Sequence, residues 1–564
     1  MEKPIYAGRT LKEWIKLLDD PDKQWQRWAV EVLGKIGPQA EPAVPTLIKR
    51  LNAEGESVRS AAAFALGKIG PGAADAVPAM VKAFWKSGYF HQGIIIQSLA
   101  GIGPAAVPAL IEISKQSEDA RSEALEVLGK IGPQARKAIP HLKAMLTDRQ
   151  GVNRRAAAFA LWKLTQDRAA IPIIARTLSD PNEYARSRAA GDLGEIGPDA
   201  AEAVPALIRA LDDSSQSVMN GSATALGKIG PAAKDAVPVL VRCVDPLVAR
   251  LAKIRAKRQA VPSPVQSPDR KPLGGASREF VTEALGKIGA PGVPELIRGL
   301  KDRDDYVRSI AAESLGRIGP DAREAVPAHA EMANDRLRAL AAQALWRIAK
   351  DERAIPILME YLQTSSANNQ THAMTILAEI GPAGKDAVPL LISVLNRADP
   401  YQGRDTSMEK RRPEEAAKTL GRIGPEARAA VPALEAALKD PDGGVRIAAG
   451  LALWRIARSE LALKALSESL LDPDQNTRFH AAMALGEIGS AAKSAVPALI
   501  EALKNDPSIR SITAKALGQI GPAAKAAVPA LVEVFENDTT LTDDNVPIAL
   551  KAIDPKTAAL EGIR

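Results

Sequence analysis

The sequence contains few of the residues from which disulfides, metal centres and catalytic clusters are built. Among its 564 residues there is one cysteine, Cys243, which excludes an internal disulfide and any zinc site made of several cysteines. No G-x-S-x-G elbow or neighbouring Cys/His pair is present. The five histidines are far apart, and none has a glutamate beside it: His91, His141, His329, His372 and His480. We therefore predict that the protein is not an enzyme and has no catalytic residues, bound cofactor or metal.

Apolar segments typical of secretion or membrane insertion are also scarce. The stretch Met1–Thr10 is polar and lacks the apolar centre of a signal peptide, which favours a cytoplasmic protein unless the natural chain begins before Met1. Ser87–Ile111 has no Asp, Glu, Lys or Arg, but Gly103-Pro104 and Pro108 interrupt it. We predict a buried helical segment there and no transmembrane segment.

A short phrase recurs along the whole chain, Leu-Gly-Lys-Ile-Gly-Pro followed by Ala-Val-Pro-x-Leu. Most of the intervals between successive Ile or Leu anchors are 29 to 33 residues, and two are longer, at 59 and 43. A near-constant period of this length indicates a tandem repeat array. The anchors lie at 36, 69, 102, 131, 164, 196, 229, 288, 318, 348, 380, 423, 456, 488, 520 and 553.

Each repeat predicts two helices. The first begins at Ala-Val-Pro, as at Ala203–Pro205, because proline is tolerated in the first turn of a helix. The second, as in Val307–Gly316, carries small alanines on its packing face and ends at Ile-Gly-Pro, where glycine suits a left-handed C′ position. Neither helix can bury its apolar face alone, so we predict an all-α fold, an α-solenoid superhelix of about sixteen stacked helix pairs.

The pattern Asp-Pro-x-x-x-Val-Arg-x-x-Ala-Ala-x-Ala-Leu-Gly-x-Ile-Gly resembles HEAT repeats, specifically the short HEAT-like repeats of the phycobilisome lyase type. The resemblance covers Leu11 to Pro555. It implies an armadillo-like superhelix whose curved face holds another macromolecule. The His-Glu ligand pairs of the HEAT-like deoxyhypusine hydroxylases are absent, and no residues match the chemistry of bilin lyases or solenoid DNA glycosylases. A role as a lyase-like or chaperone-like assistant to a cofactor-bearing protein therefore rests on fold analogy alone.

Two sets of charged residues recur with the repeat. One is an Asp–Arg pair. The resemblance implies that these pairs form a ladder, which connects the turn between the two helices of each repeat to the same turn of the next repeat. The alternative is that the arginines form a binding stripe. The pair occurs at Asp148/Arg154, Asp180/Arg186, Asp302/Arg308, Asp440/Arg446 and Asp472/Arg478. The other is a cation before the anchor, which offsets the helix dipole or forms an anion-binding ridge. These cations are Lys35, Lys68, Lys130, Lys163, Lys228, Lys287, Arg317, Arg347, Arg422 and Arg455.

The longest interval carries the excess positive charge of the chain. Residues 242–278 hold nine basic and two acidic residues, a net of +7, which equals the net charge of the entire chain. The basic residues are Arg242, Arg250, Lys253, Arg255, Lys257, Arg258, Arg270, Lys271 and Arg278. We predict a basic helix extension followed by an exposed Pro/Gly-rich loop. Three interpretations stay open: a tolerated linker, a contact for an acidic protein or nucleic acid, and a contact with an anionic membrane surface.

Aromatic residues, only 4% of the chain, gather in two settings. Phe84, Trp85, Tyr89 and Phe90 lie within seven residues, either as exposed interface anchors or as rings that fill a gap left by irregular stacking. In the second setting, a tryptophan replaces the glycine of the Leu-Gly phrase in repeats that lack the Ile-Gly-Pro stop. This joint change indicates an alternative way of packing. The residues concerned are Trp162, Trp346 and Trp454.

We accordingly predict an N-terminal half of the solenoid over 1–241, an inserted segment over 242–277, and a C-terminal half over 278–564 with a short insert near 396–414. The leading hypothesis for function is a non-catalytic scaffold or adaptor that binds a protein partner on its curved face. The alternative is binding of nucleic acid or another polyanion through the basic insert. Candidate partner contacts are Phe84, Trp85, Tyr89, Phe90, Arg250, Lys253, Arg255, Lys257, Arg258, Arg270 and Lys271.

Overall fold

The computed structural model of the chain describes residues 5–6, 9–53, 55–242, 274–331, 335–364, 367–396, 407–537 and 545–560. Within these ranges the protein is an all-α solenoid of sixteen helix pairs, as predicted. Two strands of two residues each, β1 (Ile5–Tyr6) and β2 (Arg9–Thr10), precede the first helix.

First and second helices of the pairs alternate along the chain. In the numbering used below, odd numbers denote first helices and even numbers denote second helices. The first helices are α1 (Leu11–Leu17), α3 (Val44–Arg50), α5 (Val77–Trp85), α7 (Val107–Gln116), α9 (Ile139–Met145), α11 (Ile171–Thr177), α13 (Val204–Ala210), α15 (Val237–Arg242), α17 (Val293–Gly299), α19 (Val326–Ala330), α21 (Ala354–Thr364), α23 (Val388–Leu395), α25 (Val431–Ala437), α27 (Glu460–Glu468), α29 (Val496–Asn505) and α31 (Val528–Asn537).

The second helices end at or next to the anchors that the period predicted. They are α2 (Lys23–Ile36), α4 (Glu56–Ile69), α6 (Tyr89–Ile102), α8 (Arg121–Ile131), α10 (Gly151–Thr165), α12 (Glu183–Ile196), α14 (Gln216–Ile229), α16 (Gly274–Ile288), α18 (Asp305–Ile318), α20 (Asp335–Ala349), α22 (Ala367–Ile380), α24 (Ser407–Ile423), α26 (Gly443–Ala457), α28 (Gln475–Ile488), α30 (Arg510–Ile520) and α32 (Asn545–Ile553). A last helix, α33 (Pro555–Leu560), follows the sixteenth pair.

A glycine after the anchor ends most of the second helices, but not with the left-handed geometry that we expected. Gly319, for example, has φ 74° and ψ −138°, so its φ is positive while its ψ lies far from the left-handed helical value. That region is accessible essentially to glycine alone. The glycine is therefore required by the backbone itself, which explains why it recurs so regularly.

A short 3-10 turn then leads into the next first helix, whose proline sits in the first turn as predicted. These turns are Gly37–Ala43, Gly70–Ala76, Gly103–Ala106, Gly132–Ala138, Arg168–Ala170, Gly197–Ala203, Gly230–Ala236, Ala290–Gly292, Gly319–Ala325, Gly381–Ala387, Gly424–Ala430, Gly489–Ala495 and Gly521–Ala527. One further 3-10 turn, Ser469–Leu471, follows the first helix α27.

The three tryptophan repeats end their second helices differently, as their altered sequence predicted. Each helix stops at a residue other than glycine with positive φ, namely Gln166, Lys350 and Arg458. The indole is buried in each case, and the last two of these residues lie over it, with the Lys350 Nζ 5.0 Å from the Trp346 ring and the Arg458 Cζ 5.3 Å from the Trp454 ring. A buried ring and a cation stacked on it accompany the loss of the glycine stop.

The second helices of successive pairs pack closely because small residues face each other. A Cβ added at Gly67 of α4 would lie 2.6 Å from the Ser98 carbonyl oxygen of α6, and one added at Gly129 would lie 3.0 Å from the Ala160 Cα. The leucine three residues before each anchor is buried in pair after pair, as at Leu66 and Leu99. Each buried leucine contributes about 1.5–3 kcal/mol.

The chain forms two compact bodies. The first comprises residues 9–331, with helices α1 to α19, and the second comprises residues 332–564 together with residues 1–8. The basic insert is almost entirely outside the described residues, so the predicted boundaries at 242 and 277 stay predictions. Part of the second predicted insert is an extension of α24, in which Arg412 donates a hydrogen bond to Gln370 Oε1 at 2.9 Å.

Candidate functional site

The recurrent Asp–Arg pairs form a structural ladder, as the resemblance implied. In all five predicted pairs the arginine donates to the backbone carbonyl of its own aspartate, for example Arg186 to Asp180 O at 2.9 Å. Four of the five also pair with the aspartate of the next helix pair. These contacts are Arg154–Asp180, Arg186–Asp213, Arg446–Asp472 and Arg478–Asp506. The guanidinium groups of these arginines therefore make contacts within the solenoid, and they do not form a binding stripe.

The cations before the anchors are largely neutralised by carboxylates. In each tryptophan repeat the cation pairs with a glutamate at the same position of the next second helix: Lys163–Glu195, Arg347–Glu379 and Arg455–Glu487. Others pair along their own helix, as Lys287 does with Glu283 and Arg317 with Glu313. This arrangement does not support an anion-binding ridge along the solenoid.

A buried charge cluster in the first body was missed by the sequence analysis. The fully buried Arg155 guanidinium donates to Asp192 Oδ2 at 2.6 Å and to Glu126, whose other oxygen accepts from Arg188 at 2.7 Å. Burial raises the pKa of Asp192 to about 6 in spite of Arg155. Burial opposes ionisation of Glu126 too, but Arg155 and Arg188 hold its pKa below the ordinary value. The sequence signal was Asp192 at a position where neighbouring repeats carry alanine, such as Ala65 and Ala225.

The four clustered aromatics are divided by the structure between the core and the surface. Phe84 is fully buried, which fits the gap-filling interpretation, and the edge of its ring meets Trp85 with centroids 4.8 Å apart. Trp85, Tyr89 and Phe90 are 45%, 77% and 74% exposed, which fits the interpretation as interface anchors. Each interpretation is therefore right for part of the cluster.

Phe90 lies at one end of an apolar groove between α4 and α6, which we call the α4–α6 groove. It is lined by Phe64, Gly67, Lys68, Phe90, Gly93, Ile94, Gln97, Ser98 and Gly101, and its volume is about 590 Å³. Phe64, which the sequence analysis did not single out, is 53% exposed on α4. Open apolar surface of this kind, with few polar groups, is typical of binding sites.

The charges around the α4–α6 groove are distributed unevenly along its length. At the end near Phe90, Glu56 accepts a hydrogen bond from Gly88 N at 3.0 Å, and its other oxygen lies 3.6 Å from His91 Nε2. At the end near Gly101, the Lys68 ammonium lies 5.3 Å from the Phe64 ring centroid. Lys130 donates to Gln97 Oε1 at 2.5 Å, and Gln97 in turn donates to Glu123 at 2.9 Å.

A second, polar cleft of about 670 Å³ lies in the second body, between the starts of α26 and α28. Its carboxylates already have local partners: Asp442 caps α26, Asp474 accepts from Thr477 N, and Asp472 belongs to the ladder. Among the residues that the structure describes, no group of three or more His, Cys, Asp or Glu is arranged to hold a metal ion.

The predicted contacts of the basic insert lie outside the described residues, and they stay predictions: Arg250, Lys253, Arg255, Lys257, Arg258, Arg270 and Lys271. In the described part of the chain, Tyr89–Gln116 is long and apolar enough to cross a membrane. It consists of two helices, α6 and α7, separated at Gly103, where φ is 79°. They are the second and first members of successive solenoid pairs, which agrees with the helices predicted for this stretch.

A family model described as HEAT repeats matches the chain at residues 11–90, 91–162, 170–256, 327–409, 403–475 and 464–544. These matches extend over most of the sequence, and they confirm the resemblance seen in the repeat. The model describes a structural repeat and indicates no catalytic activity. A search among curated proteins found no match.

Three solved structures are similar to this chain to different degrees. Importin β is 14% identical over 98% of this chain and 88% of its own, with a TM-score of 0.50. Kap121p bound to Nup53p is 13% identical over 97% of this chain and 75% of its own, with a TM-score of 0.38. The phycocyanin lyase complex of CpcE and CpcF from Nostoc is 28% identical over 41% of this chain and 93% of its own, with a TM-score of 0.28. At these levels the likeness concerns the fold alone.

Proposed function

Since the chain belongs to the HEAT-repeat family, we propose that it is a non-catalytic scaffold or adaptor and that a protein partner docks on its row of second helices. A solenoid stacks short repeats into an extended surface, which suits the binding of another macromolecule. We place the docking surface at the α4–α6 groove and at the exposed aromatics beside it, Trp85 and Tyr89.

The exposure of Phe64 and Phe90 across the groove is the observation that carries this proposal. Both rings are more than half exposed although they lie on adjacent helices of a close-packed row. Covering such rings with a partner removes apolar area from water at about 25 cal/mol per Å². The ladder arginines and most of the cations before the anchors are already paired within the solenoid, whereas the rings of Phe64 and Phe90 are open to a partner.

Site-specific photo-cross-linking tests this proposal. We would replace Phe90 with a photoreactive phenylalanine analogue in the full chain and irradiate native lysate with and without nuclease. A stoichiometric protein adduct that survives nuclease and disappears on Phe64→Ser is expected. The same analogue at Tyr184, an exposed aromatic outside the groove, is the matched control. Equal adducts at both positions, or an adduct that contains nucleic acid, would contradict the proposal.

A second candidate function rests on the insert, where the whole net charge of the chain is concentrated. A cationic segment of this density attracts nucleic acid or another polyanion by releasing counterions. The two functions use different parts of the chain, so removal of the insert separates them.

A further inference from the structure

One position on the rim of the α4–α6 groove lacks the side chain that neighbouring repeats carry. The residue before the anchor is a lysine in four of the first five helix pairs, Lys35, Lys68, Lys130 and Lys163, but it is Gly101 in the third. Gly101 is exposed and lines the groove. A Cβ at position 101 would overlap the Gly67 carbonyl oxygen of α4, so the close packing of α4 and α6 requires glycine there and leaves no cation between Lys68 and Lys130.

Among the residues that the structure describes, the two lysines on either side of Gly101 have no carboxylate partner. Lys68 lies over the Phe64 ring, and the hydrogen-bond acceptor of Lys130 is the amide oxygen of Gln97. Both are exposed, whereas Lys163 in a later pair is bound to Glu195. Glu56 lies near Phe90, and Glu123 lies beside Gly93 and Gln97 in the middle of the groove. The two lysines therefore lie towards the Gly101 end and the carboxylates lie farther from it.

The groove also has the periodicity and length of a helix contact. Phe90, Ile94, Gln97 and Gly101 follow the i, i+4, i+7, i+11 spacing of one face of α6, which is about 17 Å long at 1.5 Å per residue. Phe64 and Lys68 form the opposite wall, one turn apart on α4. Amphipathic helices bind in grooves of this kind through apolar residues spaced at i, i+3 or i+4, and i+7.

We propose that the α4–α6 groove binds an amphipathic helix of the protein partner, with its apolar side chains between Phe64 and Phe90 and with acidic side chains of its first turn over Gly101, where they meet Lys68 and Lys130. Acidic residues in the first turn also suit the dipole of the bound helix. Charge complementarity at one end fixes the direction in which the helix lies. This inference rests on the proposed function and specifies the partner of the same site.

A matched pair of peptides tests the proposed occupant on the full chain. The probe is a fluorescein-labelled amphipathic helix of about four turns, with leucines at i, i+3, i+7 and i+10 and glutamates confined to its first turn. Its control carries glutamine in place of each glutamate. Fluorescence anisotropy is expected to show that the glutamate peptide binds about tenfold more tightly than the glutamine peptide, and that the preference weakens with salt.

Variants of the protein locate the effect. The double variant Lys68→Gln/Lys130→Gln is expected to abolish the preference and leave the affinity for the glutamine peptide unchanged, whereas Phe64→Ser/Phe90→Ser weakens the binding of both peptides. Lys228→Gln, at the same repeat position of α14, is the control and should change nothing. All of these side chains are exposed, so circular dichroism should show intact folding.

Three results would overturn the inference. The first is equal binding of the two peptides, and the second is a preference for the glutamate peptide that persists in Lys68→Gln/Lys130→Gln. Either result shows that Lys68 and Lys130 do not bind the acidic residues. Peptide binding that survives Phe64→Ser/Phe90→Ser shows that the groove is not the site. If neither peptide binds while cross-linking at position 90 still captures a protein partner, the occupant is wrong but the proposed function stands.

Discussion

At the level of single residues, polar side chains occupy core positions that the repeat otherwise gives to alanine and leucine. Asp192 stands where Ala65 and Ala225 stand in other pairs, and it is stabilised by Arg155. His329 stands where Leu207 stands and is 1% exposed, and neither of its ring nitrogens has a hydrogen-bond partner among the described residues. An unsatisfied buried polar group of this kind costs about 1–3 kcal/mol.

His329 should make the stability of the first body fall as the pH falls from about 7 to 4. Burial lowers the pKa of His329 from 6.5 to about 4. Between these values the unfolded chain binds a proton that the folded chain does not, so stability is present above pH 6.5 and is lost progressively below it. At pH 4 the loss in the free energy of unfolding is on the order of 3 kcal/mol, and His329→Leu should remove it. Denaturant unfolding across this pH range measures the effect.

The exposed His480 provides the control for this pH dependence. His480→Leu should leave the pH dependence of unfolding close to that of the parent chain. If His329→Leu also leaves it unchanged, then His329 is not the group responsible.

At the level of elements, the ends of the second helices are decided by local backbone chemistry. Where the chain has Ile-Gly-Pro, the glycine adopts a conformation that other residues rarely reach, and the helix stops there. In the tryptophan repeats a residue such as Arg458 takes the left-handed conformation, and its guanidinium stacks on the Trp454 ring. These two kinds of helix end were visible in the sequence because each depends on residues that are close together in the chain.

Two glycine substitutions measure backbone strain without crowding, because an added Cβ has free space at both positions. At Gly132 a Cβ would meet nothing within 4 Å, but φ is 72°, so Gly132→Ala should destabilise α8 and the turn after it by about 1–3 kcal/mol. At Gly191, inside α12, a Cβ also meets nothing within 4 Å and no such φ is required. Gly191→Ala should therefore stabilise its helix by about 0.5–1 kcal/mol.

Amide hydrogen exchange reports both changes locally, which suits an array in which each pair contacts mainly its neighbours. Protection should decrease around Gly132→Ala and increase around Gly191→Ala. If protection changes with the same sign at both positions, then backbone strain is not the reason for a glycine at position 132.

At the level of the whole molecule, the insert lies between the two helices of one pair. The first helix of that pair, α15, ends at Arg242, and the second, α16, begins at Gly274. In the preceding pair five residues, 211–215, join the corresponding helices. Since connections between packed helices are readily lengthened or shortened, we expect that the stacking on either side does not require the insert.

Replacing residues 243–273 with the Leu211–Ser215 turn should leave the flanking helix pairs folded and the binding of the partner at the α4–α6 groove unchanged. If the chain also binds nucleic acid, this replacement should abolish that binding, as should reversal of charge at Arg250, Lys253, Lys257 and Arg258. The affinity for nucleic acid should fall with salt at a slope of about 0.9 per phosphate neutralised, measured by anisotropy across a salt series. Unaltered nucleic-acid binding after charge reversal would exclude the insert as the site.

The sequence by itself determined the repeat, the helix pairs and the places where the helices end. These features follow from the 3.6-residue periodicity of a helix and from the chemistry of glycine and proline, which act over a few residues. Only the tertiary structure decided that Phe84 is buried while Phe90 is exposed, and that Phe64 joins it from another helix. It also decided that Arg155 reaches Asp192. The physical reason is that stacking brings together residues about thirty positions apart, and which side chain is covered depends on the size of its neighbour across that contact.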